Sequence, residues 1–189
     1  MSKRKRIIAL LAGVILLAGT AGTLAWLSVT GVLVNQFGIG SVTPSVQETL
    51  NGNVKSDVKA QNTGTAPAYI RAAVDIYWQD GNGARLWEEP KEEADYEIAW
   101  SVADASDANS ADNWVKASDG FYYWTSPVAP GGETGVLINR ATELKATEGR
   151  DLVVDISTQA VQATPDEAVH DAWGCSVKNG VLVPPHGGA

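Results

Sequence analysis

The chain has 189 residues, with 14 Lys+Arg against 22 Asp+Glu and a formal net charge of −8. That balance excludes a nucleic-acid binder, which needs a basic face to meet phosphates. Its one cysteine, Cys175, excludes an internal disulfide, so packing must stabilise whatever domain forms.

The first element in chain order is a leader. Lys3, Arg4, Lys5 and Arg6 precede an uncharged run from Ile7 to Ser28. The strongly apolar part, Ile7–Ala18, is shorter than the roughly 20 residues a membrane-spanning helix needs. Basic, apolar and small-residue regions in that order make a secretory signal. A signal peptidase needs small side chains one and three positions before its cut. Thr23 with Ala25 supplies them, as does Ala18 with Thr20; the favoured cut lies between Ala25 and Trp26. An uncleaved N-terminal anchor is the alternative. Losing the four leader cations leaves 10 basic against 22 acidic residues, a charge near −12 that suits a soluble exported domain.

Val29–Val34 is β-branched and reads as a strand, followed by an extended piece at 41–49 whose Pro44 confines it to an edge or a strand start. Asn51-Gly52 marks a hairpin. From Val54 to Gln61 the residues alternate, with Val54, Ser56, Val58 and Ala60 on the apolar face and Lys55, Asp57, Lys59 and Gln61 on the wet one. A turn at 62–67 leads to the clearest strand, in which Ala68, Ile70, Ala72, Val74, Ile76 and Trp78 face one way. The acidic stretch 88–95 reads as a loop or a short helical turn, and Tyr96–Val102 as a strand.

Asp119-Gly120 predicts a hairpin between Trp114–Ala117 and Phe121–Thr125. Alternation there puts Phe121 and Tyr123 on one face and Tyr122 and Trp124 on the other; packing on both faces is the ordinary use, a ligand groove the other. Strands follow at Thr134–Asn139 and over the unbroken run Arg150–Ala163. Thr164 as N-cap, Pro165 at the first helical position and Glu167 completing a capping box predict one short helix near residues 165–173, stopped by Gly174. Val177–Val183 reads as a last strand with an Asn179-Gly180 turn inside it. Many short strands with turn signals and one helix predict an all-β, antiparallel β-sandwich. The domain plan is a leader (1–25), an N-terminal segment (26–40), a sandwich (41–183) and a flexible tail (184–189).

No stretch carries a catalytic motif. His170 and His186, the only histidines, cannot make a usual zinc site unaided, and nothing around Cys175 resembles a nucleophile motif. Asp104, Asp107 and Asp112 lie in one polar loop that could hold Ca²⁺, although their spacing is not that of an EF-hand; a solvated acidic loop is favoured. No cofactor or metal is expected.

Several stretches taken together resemble the TasA/camelysin family of exported proteins of Gram-positive bacteria. They are Gly22-Thr23-Leu24-Ala25-Trp26-Leu27, Asn35-Gln36-Phe37-Gly38-Ile39-Gly40-Ser41-Val42 and Lys59-Ala60-Gln61-Asn62-Thr63-Gly64-Thr65-Ala66-Pro67-Ala68-Tyr69-Ile70-Arg71. Asp119–Trp124 with Pro127–Gly131, and Ala160–Ala163, continue the set. The resemblance implies maturation by a SipW-type (type I) signal peptidase and a jelly-roll-like sandwich. It also implies a non-enzymatic role in the biofilm matrix or at the cell surface, as a fibre subunit that associates with itself or with a paralogous matrix subunit. The membrane is met only transiently, through the leader. In such fibres the N-terminal segment of one subunit adds a strand to the next. Here that donor is Trp26–Gly40, with Val29, Val32, Leu33, Val34 and Phe37 as its apolar residues. An apolar strand with no hairpin partner in sequence agrees with that use. A surface module binding carbohydrate or a host protein through exposed tryptophans is the alternative. A camelysin-like metallopeptidase is a weaker one, since no metal-ligand motif accompanies it.

Overall fold

The computed structural model describes residues 41–51, 54–103, 110–146 and 148–185. In these residues the alternation forms ten strands: β1 (Pro44–Asn51), β2 (Val54–Asn62), β3 (Ala68–Asp80), β4 (Tyr96–Trp100), β5 (Trp114–Lys116), β6 (Tyr122–Trp124), β7 (Ile138–Glu143), β8 (Arg150–Gln162), β9 (Ser176–Lys178) and β10 (Val181–Val183). One helix, α1 (Glu167–Trp173), lies between β8 and β9. Eight strands make two four-stranded antiparallel sheets, ordered β1-β2-β7-β4 and β5-β6-β3-β8, while β9 and β10 pair separately. The fold is all-β. Val58, Ala60, Ile98, Ile138 and Ala141 of the first sheet share one core with Ile70, Ala72, Trp114, Tyr122 and Trp124 of the second. Each sheet can bury only one face in this way, which is why the pattern alternates.

The longest pairing joins β3 to β8. All 13 residues of each are in register, from Ala68↔Gln162 to Asp80↔Arg150, without a bulge. Neither strand contains glycine or proline to break it. Ile70, Ala72, Val74 and Ile76 of β3 and Leu152, Val154 and Ile156 of β8 face the shared core.

The opposite face of this sheet is wet at one end only. At the other end α1 and the β9–β10 hairpin fold over it, and Tyr69, Tyr123, Val169, Cys175 and Leu182 form a second core. Arg71 fixes that cover. Its Nε and Nη2 donate to Gln159 Oε1 (2.9 and 2.7 Å) and its Nη1 donates to Tyr123 Oη (3.0 Å). The guanidinium lies 4.0 Å from the Phe121 ring centre and 4.9 Å from that of Trp173 on α1. The aromatic run around Tyr122 therefore packs on both faces of the sheet rather than lining a groove.

Four expectations shift. Thr164 does not cap the helix, which begins at Glu167 with Asp166 at the N-cap position and no side-chain bond there. Pro165 O accepts from Ala168 N–H and Asp166 O from Val169 N–H, so backbone carbonyls satisfy the first-turn donors. Gly174 ends the helix in a left-handed conformation, as expected (φ 68°). The strand expected at Thr134–Asn139 is regular only from Ile138, because Thr134 and Leu137 bond singly to Ala60 O and Val58 O instead of joining a ladder. The last strand is two, folded at Asn179 and Gly180, both at positive φ (53° and 79°).

The fourth shift concerns β2. Asp57 takes a left-handed backbone (φ 55°), and the β1–β2 register slips between Gln47 and Thr49. The slip reverses the faces before it. Lys55, expected in water, pairs with the buried Ala141 and turns toward the core side.

Asn62 closes β2 as a fully buried polar residue. Its Nδ2 donates to Ala66 O (2.8 Å) and Val128 O (2.9 Å), and its Oδ1 accepts from Gly64 N–H (3.0 Å). Gly64 in turn lies against Ser41, whose carbonyl oxygen would be 2.1 Å from any added Cβ. Asn62→Ala would strand those groups without water. We expect it to destabilise the domain by about 2–3 kcal/mol in urea unfolding, with the midpoint falling and the slope unchanged.

Candidate functional site: an open sheet edge and its lysine

Among the described residues, β8 is the last strand of its sheet, paired on one side with β3. Antiparallel residues turn their backbone groups alternately toward and away from a neighbour. Trp78 O accepts from Leu86 N–H and Asp80 N–H donates to Ala84 O, so the even-numbered residues of β3 face away from β8. Their partners Leu152, Val154, Ile156, Thr158 and Ala160 therefore present N–H and C=O at the open edge of β8. An edge of this length is a template for another strand.

One side chain reaches it. Lys55, inverted by the bulge at Asp57, crosses from β2 to the facing sheet and donates from Nζ to Val154 O at 2.6 Å. Glu48 of β1 holds the same ammonium at 2.9 Å, and the Lys55 side chain is only 16% exposed. A cation in that place resists pairing, since a strand arriving at Val154 must displace it. Inward-pointing charge is a recognised way of blunting an edge. The sequence showed a lysine on a strand; only the register slip reveals which way it points.

The other residues singled out in the sequence separate. Ala25, Trp26, Val29, Val32, Leu33, Val34 and Phe37 lie outside the described residues, as do Asp104, Asp107 and His186. Asp112 is exposed, and its backbone N–H donates to Ser126 Oγ (2.8 Å). Among the described residues, no three His, Cys, Asp or Glu side chains gather where a metal ion could sit. His170 is an exposed helix residue beside Asp171. Of the tryptophans, Trp78, Trp114 and Trp124 are buried and Trp100 and Trp173 half-buried. Trp87 is fully exposed, and Leu144 is its only large apolar companion on the described surface. No contiguous aromatic patch forms among the described residues, and Trp87 stands alone.

Cys175 is buried in the second core, and burial pushes its thiol up to about 11. Burial also raises the Tyr123 phenol, as does its bond to Asp119 Oδ2 (2.7 Å). A thiol so raised is a poor nucleophile at neutral pH.

Comparison with family models, with curated proteins and with solved structures finds no match.

Two outcomes follow from this geometry. Lys55→Gln removes the charge that guards Val154 and leaves Glu48 alone. The variant should self-associate faster in light scattering at equal concentration, with the gap narrowing in high salt; unchanged association would show that Lys55 guards nothing. Cys175 and Tyr123 keep their protons more tightly folded than unfolded. The Cys175 contribution is complete below the ordinary thiol value of 9.0 and is lost as pH rises through about 11, while that of Tyr123 begins to fade only above the ordinary phenol value of 10.0. Thermal unfolding should be level to about pH 9 and fall beyond it, and iodoacetamide at pH 8 should label Cys175 only after unfolding.

Proposed function

We propose that this chain is a secreted, non-enzymatic structural subunit of the cell surface or biofilm matrix, assembled into fibres by strand exchange. The observation that carries the proposal is the edge of β8 from Leu152 to Ala160, which no strand among the described residues covers and which Lys55 fences. The donor is Trp26–Gly40, apolar, β-branched and long enough to run beside β8. Strand addition supplies main-chain bonds along the edge, and alternate apolar side chains join the core through Leu152, Val154 and Ile156. Chain topology supports the jelly-roll-like form of the sandwich. The steps β2 to β3, β3 to β4, β4 to β5, β6 to β7 and β7 to β8 each change sheets, as in that architecture.

Export and assembly are coupled in this scheme. The leader carries the chain through the membrane, a type I signal peptidase cuts between Ala25 and Trp26, and the donor is freed by that cut. The partner is a second copy or a paralogous subunit with the same acceptor edge.

Mature protein starting at Trp26 should form fibres visible by electron microscopy. Protein lacking 26–40 should stay monomeric and should bind a synthetic 26–40 peptide, with protection of β8 amides from exchange. A deletion that assembles as the parent does would defeat strand exchange. Peptide protection at another edge would keep strand exchange and move the acceptor.

A further inference from the structure

We propose that the cleft beneath Trp87 is a saccharide-binding site, taking a short stretch of neutral or amino sugar and independent of assembly through β8. The cleft lies on the other side of the β3–β8 ribbon. Beyond the end of β3, Asp80 Oδ1 accepts from Asn82 N–H (2.9 Å) and Ala84 N–H (2.8 Å), and these bonds hold its carboxyl below the ordinary carboxylate range. That turn folds the chain back, with Leu86 N–H bonding Trp78 O. Residues 85–90 then rise over the sheet edge and enclose about 440 Å³ with Ile76 and Tyr77.

Three features of this cleft match a sugar. First, Trp87 is 102% exposed, so both faces of its indole are open. A pyranose presents one apolar C–H face, and an amphipathic ring is its natural platform. An isolated exposed tryptophan is ordinary by itself; this one stands at the rim of the cleft. Second, the polar groups are held in place. Arg85 grips Asp75 in a two-point ion pair and lies 4.5 Å above the Tyr77 ring, and Arg150 holds Glu88. Fixed donors and acceptors around an apolar floor are what a small polar ligand needs for orientation. Third, the β3 ladder is interrupted here. On its side away from β8, β3 pairs with β6 at Arg71 and Ala72 and with the returning loop at Trp78 to Asp80. Among the described residues no strand meets Val74 or Ile76 between them, and Ile76 lines the cleft. Its N–H and C=O are turned to that side and add a donor and an acceptor for hydroxyls.

Charge narrows the ligand. Glu88 and Glu89 line the cleft and Asp75 neutralises its Arg85, in a chain with net charge −8, which disfavours uronates and phosphates. Asp75 and Glu88 are already paired to arginines, so the cleft is not a free acidic pocket for a basic peptide. The ladder gap spans only Ala73–Tyr77, too short for a stable added strand.

Titration of ¹⁵N-labelled protein with chitotriose, glucosamine trimer, cellotriose and trigalacturonate tests the site. At least one of the first three should move the Trp87 indole and Ile76 amide signals saturably, and trigalacturonate should not. Trp87→Ala, whose side chain supports nothing in the fold, should weaken binding at least about tenfold, and Trp87→Phe should restore part of it. Three results would overturn the proposal. One is no shift from any sugar up to about 10 mM, and another is an unchanged response in Trp87→Ala. The third is an arginine-rich peptide shifting these signals where no sugar does.

Discussion

Thirteen residues of β3 lie against thirteen of β8 without a break, and both surfaces discussed above are edges of that ribbon. Its length comes from two runs without glycine or proline, and its two faces are covered by different parts of the chain. The first sheet packs on the inner face throughout. The helix and the last hairpin cover only the Tyr69 end of the outer face. Arg71 stands at the border of that cover, its guanidinium among Phe121, Tyr123 and Trp173 and its donors on Gln159 and Tyr123. Beyond it the outer face is open, and there the chain places Asp75, Tyr77 and the loop that carries Trp87.

Strand content was legible because burial on one face imposes a two-residue period that any solvent-facing sheet displays. β3, the β5–β6 hairpin and β8 appear in the sequence nearly at their observed bounds. The Asp119-Gly120 and Asn179-Gly180 turns appear because positive φ selects a narrow residue set, and Gly120 sits at φ 87°. Positions whose meaning depends on distant partners were not legible. Tyr69 belongs to the wet face by alternation, yet it is 1% exposed because helix and hairpin return over it, more than 90 residues later. Lys55 belongs to the wet face by the same rule and is inverted by one left-handed residue, Asp57. A bulge leaves no mark when the residue that adopts it is an aspartate on an otherwise regular strand. The candidate site suffered most from this blindness, since its guard is the residue the bulge turns. Trp87 was one of seven tryptophans, and among the described ones only burial or part-burial of the others separates it.

An open edge on an acidic domain faces two opposing demands. It must pair with the right strand and refuse the wrong one. Net charge slows approach between copies but acts over about a Debye length and fades in salt. A lysine at the edge itself is local and persists. Lys55 is suited to that duty because Glu48 offsets the cost of holding an ammonium at 16% exposure, and because its bond to Val154 satisfies one carbonyl that would otherwise wait for a partner. The barrier it sets is small against a long run of main-chain bonds and large against a brief collision. That difference favours a strand long enough to zip along β8 over a short chance pairing.

The two edges of the ribbon are also arranged so that use of one leaves the other free. Residues of β3 with even numbers turn their backbone away from β8, toward the loop that bears Trp87. Their partners on β8 turn the opposite way, toward Lys55. The whole width of two strands therefore separates a donor laid along β8 from a ligand in the cleft at Ile76. In a fibre built through β8, each subunit would keep its Trp87 cleft uncovered by that contact. The cleft would recur once per subunit along the fibre, and a weak site repeated in that way gains avidity for a polymer that no single copy could hold.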